Sequence, residues 1–262
     1  MIKLLISDLD GTLIHNHATM KDEDLNALKM AMESGLELAF ASGRMYPEIR
    51  SVMEELGKRT HAISQNGAFV HTTDGSMILQ EAFDPGLQRA LMEAGEGTPF
   101  LTLLCAPDYY FVERMSGHAE RIAGRLMAPM RLVPDARERL GRDIVSGKMS
   151  FFGGLDALRG FRERLMEAYG DSIDAYISDI DCMDVMPHGV SKGTGAEALL
   201  KHLGLGADEA VCVGDSFNDL SMFAAIRHSF AMEGAHPDVR AKASRTTDGV
   251  AAVVAWAMES SR

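Results

Sequence analysis

No run of about eighteen apolar residues occurs in the 262-residue chain, so nothing in it reads as a membrane-spanning helix. The N-terminus enters an apolar strand-like run at once. It shows no basic stretch, apolar core and small-residue cleavage site, and the expectation is a cytoplasmic protein. Cysteine is scarce: Cys105, Cys182 and Cys212 are odd in number, widely spaced and set among apolar neighbours. That suits reduced, buried thiols and not a disulfide framework or a thiolate metal site. Cations are also in deficit, 26 Lys and Arg against 38 Asp and Glu, for a net charge of −12. Nucleic-acid binding needs clustered cations against phosphate and is not expected. Residues 101–170 carry slightly more cations than acids, which solvated helix faces explain. No G-x-G-x-x-G follows the first strand and no G-x-x-x-x-G-K-[ST] is present, so dinucleotide and P-loop sites lack their signatures.

What is present is a strand and helix alternation that predicts a parallel sheet built from βαβ units. Apolar strands are expected at Ile2–Ile6, Leu36–Ala41, His61–Ser64, Ala68–His71, Ala210–Val213 and Ser229–Met232. Helices are expected over about 21–34, 47–56, 192–203 and 250–258, with Gly35 and Gly204 placed as C-terminal caps. Between about Phe83 and Asp184 the pattern changes. Strand-like pieces at Leu101–Cys105, Tyr109–Glu113, Lys148–Phe152 and Ile173–Ser178 flank helical pieces near His118–Met127 and Leu155–Tyr169. This reads as an α+β insert, with the parent pattern resuming at Val185 and Met186. The expected division is a core of residues 1–82 and 185–262 and an inserted domain of residues 83–184.

Two carboxylates and a tight turn, Asp8-Leu9-Asp10-Gly11-Thr12, stand just after the first apolar strand. An acidic pair at the end of a buried strand is costly to desolvate unless a cation or a reaction uses it. Three further stretches lie where they can meet it: Ser42-Gly43-Arg44 after the second strand, Lys192 at a helix start, and Gly214-Asp215-Ser216-Phe217-Asn218-Asp219 after Val213. In open parallel sheets ligands gather beyond the carboxyl ends of the strands, where Asp8, Ser42 and Asp215 would converge. Asp8 can serve as a nucleophile and Asp10 as a proton donor and acceptor, while Lys192 and a hard cation held by the acids can balance the charge of a phosphoryl group. His15 and His17 form an H-x-H pair in a polar loop with no further His or Cys near, which reads as solvated side chains.

With these four motifs in this order, nearly the whole chain resembles the haloacid dehalogenase-like phosphohydrolases, in particular the Cof-type group with a class-IIB cap. The resemblance implies an α/β fold, a Rossmann-like parallel-sheet core with an inserted α+β cap domain that excludes water and reads the leaving group. It implies a phosphatase for small phosphorylated metabolites, most plausibly sugar phosphates, that works through an aspartyl-phosphate at Asp8 with Asp10 as acid and base. Leu9, Thr12, Ser42, Gly43, Lys192 and Asn218 would hold the phosphoryl group. Mg2+ would be held by Asp8, Asp10 (through its carbonyl), Asp215 and Asp219, and Arg44 would contact substrate, cap or a nearby acid. Relatives usually carry Gly-Asn-Ala after the last core strand, where this chain has Glu233-Gly234-Ala235. A phosphomutase of the same fold, similar to a phosphomannomutase, and a non-catalytic phospho-acceptor module share the same acids and lysine. The implied partner is a small phosphorylated metabolite, with neither nucleic acid nor membrane, and the oligomeric state is not legible.

Overall fold

A computed structural model describes residues 1–15 and 19–260. Its first stretch holds β1 (Leu4–Asp8), the short pair β2 (Ile14–His15) and β3 (Thr19–Met20), α1 (Asp22–Glu33), β4 (Glu37–Ala41), α2 (Tyr46–Leu56), β5 (His61–Ser64), β6 (Phe69–His71) and β7 (Met77–Gln80). The middle stretch holds α3 (Pro85–Ala94), β8 (Leu101–Cys105), β9 (Tyr110–Val112), α4 (Gly117–Ala123), β10 (Met130–Leu132), α5 (Ala136–Arg139), β11 (Lys148–Phe152), α6 (Leu155–Tyr169), β12 (Ile173–Asp179) and β13 (Cys182–Pro187). The last holds α7 (Lys192–Leu203), β14 (Ala210–Gly214), α8 (Leu220–Ala225), β15 (His228–Met232), α9 (Pro237–Arg240), β16 (Arg245–Thr247) and α10 (Val250–Glu259). Contacts divide these into two compact units, Met1–Gln80 with the segment from Ser191, and Glu81–Val190.

The first unit is a sheet in the order β16-β15-β14-β1-β4-β5-β6-β7, parallel from β16 to β5 and closed by antiparallel β6 and β7. Side chains alternate across a strand, so a sheet buried on both faces needs apolar residues at every position. The three central strands meet that demand. Leu5, Leu38, Phe40, Val211 and Val213 pack to one side in a cluster with α1, α2 and α10 residues such as Leu28, Ile49 and Val253. Leu4, Ile6, Ala39, Ala41, Ala210 and Cys212 pack to the other with Ala196, Leu199 and Met222 of α7 and α8. Leu4, Leu5 and Ile6 are each fully buried, worth roughly 1.5–3 kcal/mol apiece. These strands therefore anchor the loops at their carboxyl ends to the most tightly packed part of the unit.

The second unit is a mixed sheet in the order β10-β9-β8-β11-β13-β12. Met149, Phe151, Met183, Val185, Ile173 and Phe111 pack with Leu91, Leu158, Phe161 and Leu165 of α3 and α6. The expected return to the core at Val185 and Met186 is corrected here. Both residues lie inside β13, with Val185 paired to Met149 and Ala175 and Met186 paired to Asp174. The strand stays with the inserted sheet because its alternate side chains, Met183 and Val185, complete that unit's core. The junctions accordingly fall at Gln80/Glu81 and Val190/Ser191. All three cysteines are free and buried, and no described helix is long and apolar enough to cross a membrane.

Candidate active site

Every described residue singled out from the four motifs lies in the first unit, at the carboxyl ends of β1, β4 and β14 and at the start of α7. Asp8 is the last residue of β1 and only 4% exposed. Its Oδ1 accepts a hydrogen bond from Lys192 Nζ at 2.6 Å. Its Oδ2 is buried and meets no hydrogen-bond donor among the described residues. Burial holds the Asp8 carboxyl well above the usual carboxylate range, with Asp219 and Asp215 pushing the same way against Lys192.

The chain then turns back on itself. Leu9, whose side chain is buried, gives its carbonyl to the amides of Thr12, Leu13 and Ile14. Gly11 sits at φ +88°, and a Cβ there would run into the Asp215 carboxylate, so the close approach of the two loops requires glycine. Thr12 Oγ1 donates to Asp215 Oδ1 at 3.1 Å, which places this hydroxyl as a brace between loops. Asp10 points elsewhere. Its side chain is 42% exposed and is gripped by Arg44, Nε to Oδ2 at 2.8 Å and Nη2 to Oδ1 at 2.5 Å. Of the three partners expected for Arg44, the structure shows the nearby acid.

After β4, buried Ser42 accepts from the Arg44 amide at 3.1 Å, and its carbonyl accepts from the Asn66 amide. Gly43 follows Ser42 with a Cβ position 3.4 Å from the Asn66 side chain. Asn66 was missed as a site residue in the sequence, although Gln65-Asn66-Gly67 marks a tight turn there. Its Oδ1 accepts from Asn218 Nδ2 at 3.1 Å, tying the second motif to the fourth. The turn brings Gly67, at φ +104°, so close to the Ser191 carbonyl that a Cβ would overlap it.

Lys192 opens α7 behind Ser191, whose hydroxyl accepts from the Thr194 amide at 3.2 Å. A lysine at a helix N-terminus is ordinarily a solvated and mildly unfavourable choice. Here it is 1% exposed and donates to both Asp8 Oδ1 and Asp219 Oδ1, the latter at 2.7 Å. Burial alone would lower its pKa, but the charges of Asp219 and Asp8 outweigh burial and raise it above the usual lysine value. Asp219 is fully buried, and its Oδ2 accepts from the amides of Asp215 and Ser216 at 2.9 and 3.0 Å. It thus shapes the Asp215 loop and positions Lys192 at once. Asp215 is half-buried, and burial, followed by the Asp219 charge, raises its carboxyl.

Asp8, Asp215 and Asp219 each offer a carboxylate oxygen within 4.8 Å of the others. Three acids against one ammonium fit a hard cation with oxygen ligands. His15 lies in β2, outside the acid cluster and only partly solvated, with its Nε2 buried, and His17 lies outside the described residues.

The profile of the haloacid dehalogenase-like hydrolases matches residues 5–256. HMP-PP phosphatases of Klebsiella pneumoniae and Escherichia coli are each 27% identical, over 252 and 248 residues, covering 92% of this chain and 88% of theirs. Among solved structures, TM0651 from Thermotoga maritima superposes with a TM-score of 0.88 at 23% identity, covering 98% of this chain and 97% of that one. BT1666 from Bacteroides thetaiotaomicron, a phosphatase of the haloalkanoate (HAD) superfamily, gives 0.80 at 26% identity, covering 99% and 95%. A match over nearly the full length, on a fold whose motif loops meet at one sheet edge, places the chain in the haloacid dehalogenase-like hydrolases, in the Cof-type group with a Rossmann-like core and an inserted cap domain.

Proposed function

We propose that this phosphoric monoester hydrolase is a magnesium-dependent phosphatase of the cytoplasm, acting on small phosphorylated metabolites through an aspartyl-phosphate at Asp8. The observation that carries the reading is the divided environment of Asp8: one oxygen held by Lys192, the other buried and without a donor beside two further carboxylates. Lys192 fixes the carboxylate so that Oδ2 is the oxygen left to meet phosphorus. Attack there forms the Oδ2–P bond as the bond from phosphorus to the leaving oxygen breaks, and Asp10 gives that oxygen its proton. Asp10 then takes a proton from water as the water attacks phosphorus, the Oδ2–P bond breaks, and inorganic phosphate leaves with Asp8 restored.

Arg44 holds both Asp10 oxygens, so the proton transfer requires it to release one of them to the leaving group while its hold on the other keeps the acid oriented. The Asp8 oxygen that does not attack phosphorus, the side chains of Asp215 and Asp219 and the Asp10 carbonyl would hold Mg2+. When bound, the ion would offset the repulsion between the Asp8 carboxylate and an anionic ester, about 4 kcal/mol for unit charges ~4 Å apart at an effective dielectric of ~20. Leu9, Thr12, Ser42, Gly43, Lys192 and Asn218 would receive the phosphoryl oxygens, with Asn66 holding Asn218 in place.

Sugar phosphates are the proposed substrates, and because the curated relatives are named for HMP-PP, that compound belongs in the same panel. The test is phosphate release from such a panel with Mg2+, with EDTA, and with Asp8→Asn. Turnover that requires Mg2+ and falls by at least about 10³-fold in Asp8→Asn is expected. Near-normal turnover in Asp8→Asn would remove the nucleophile assignment.

A further inference from the structure

We propose a second, non-catalytic site on the core unit that takes a small organic polyanion, in the groove beside α2. The groove encloses about 340 Å3, within the range of small-molecule sites. One stripe of α2 lines it, Tyr46, Arg50, Met53 and Glu54, together with Gly57, Lys58, Arg59 and Thr60 just beyond the helix and with Thr73 from the turn between β6 and β7. The spacing of the α2 residues is that of a single helix face.

Charge is the first argument. The chain carries twelve excess negative charges, yet Arg50, Lys58 and Arg59 converge on this groove against Glu54 alone. Among the described residues none of the three forms an ion pair, whereas Arg44, Arg125, Arg137 and Arg139 each bind a carboxylate. Arg59 makes only a long hydrogen bond, Nη1 to the Asp74 carbonyl at 3.4 Å. Nearby Asp74 does not neutralise them by contact, because its carboxylate accepts from Thr72 Oγ1 and from the amide and hydroxyl of Ser76.

Shape and place are the second. Buried Met53 provides an apolar wall, and Tyr46 is held rigid by stacking on His71, with ring centroids 3.8 Å apart and planes 5° apart. A ligand with two or more anionic groups on a compact body matches three exposed cations around such a wall. Lys58, Arg59 and Thr60 lead into the amino end of β5, whereas the acid cluster stands at the carboxyl ends of the parallel strands. The two sites therefore lie toward opposite edges of one sheet, and an anion here does not compete for Lys192.

Calorimetric titration of the full chain, in EDTA at low salt, tests the site with tripolyphosphate and, separately, with citrate. One saturable site is expected, weakened by added NaCl, as screening of exposed charges requires. The triple variant Arg50→Gln, Lys58→Gln, Arg59→Gln should bind at least about tenfold more weakly, and Arg50→Gln alone by a smaller factor. All three positions are exposed, so circular dichroism should report an unchanged fold. Tighter binding of tripolyphosphate identifies a phosphorylated ligand, and tighter binding of citrate identifies a polycarboxylate. Either supports the site. The proposal is overturned if neither probe saturates the chain by about 10 mM, or if the triple variant binds as the natural chain does.

Discussion

Replacing Lys192 with methionine keeps the length of the side chain and removes its charge, which isolates the part the ammonium plays in holding the acid loops together. In the native chain Nζ lies 2.6 Å from Asp8 Oδ1 and 2.7 Å from Asp219 Oδ1, with all three side chains at most 5% exposed. Removing one member of a buried ion pair costs about 3–5 kcal/mol, because the partner stays buried and uncompensated. Asp219 keeps the amides of Asp215 and Ser216 on its other oxygen, so the larger share of the loss falls on Asp8, which loses the Lys192 donor. A loss of about 4 kcal/mol in a chain of this size lowers Tm by roughly 10 °C. Thermal unfolding followed by circular dichroism in EDTA measures it. Addition of Mg2+ should raise the Tm of Lys192→Met by more than that of the native chain, since only the variant lacks a cation at the cluster. A Tm within about 2 °C of the native value in EDTA would refute the electrostatic account of Lys192.

Arg44→Met should lower kcat by about tenfold while leaving the circular dichroism spectrum unchanged, because Asp10 loses the two-point grip that orients it. Steady-state kinetics on any turned-over ester checks this, and a kcat within about twofold would show that the grip is passive. Gly67→Ala should cost about 3 kcal/mol in urea unfolding, from a Cβ at φ +104° that overlaps the Ser191 carbonyl, and unchanged stability would contradict that geometry.

The central strands were legible because a parallel sheet buried on both faces leaves no room for polar interruptions. His61–Ser64 in the parallel part of that sheet carries the same ends in sequence and structure, as do the apolar strands Leu101–Cys105 and Lys148–Phe152 of the mixed sheet. The motif loops were legible for a related reason: charge directly after an apolar run is expensive, so it marks a strand end with a purpose. Partner choice was not legible. Cys182–Pro187 alternates well enough for either sheet, and only its pairing with Lys148–Phe152 and Ile173–Asp179 decides that it belongs to the insert. The grip of Arg44 on Asp10 spans 34 residues of sequence and exists because β1 and β4 are neighbours. Asn66 was hidden by a second kind of ambiguity. Asn-Gly is a turn signal whatever its side chain does, and the amide's contact with Asn218 depends on a loop 152 residues away. Helix α3 went unread although Asp84-Pro85 is a helix-start pair, with Asp84 accepting from the amides of Gly86 and Leu87.

The two acids of the last motif show how one short loop divides its work. Asp219 spends its oxygens on Lys192 and two backbone amides, so it behaves as a brace that sets the curve of residues 215–219. Asp215 accepts the Thr12 hydroxyl and keeps part of its surface open. Asp8 has the same asymmetry within one carboxylate. Both of these incompletely satisfied acids have carboxyl groups held above the usual range, chiefly by burial and by facing other acids. A fold that wanted only rigidity here could replace either acid by an amide and lose no donor contact that the other loops need. Keeping them as acids is costly in the absence of a cation and useful in its presence. A cation at this edge would therefore meet unspent electrostatic capacity in Asp8 and Asp215, whether or not Asp219 touched it.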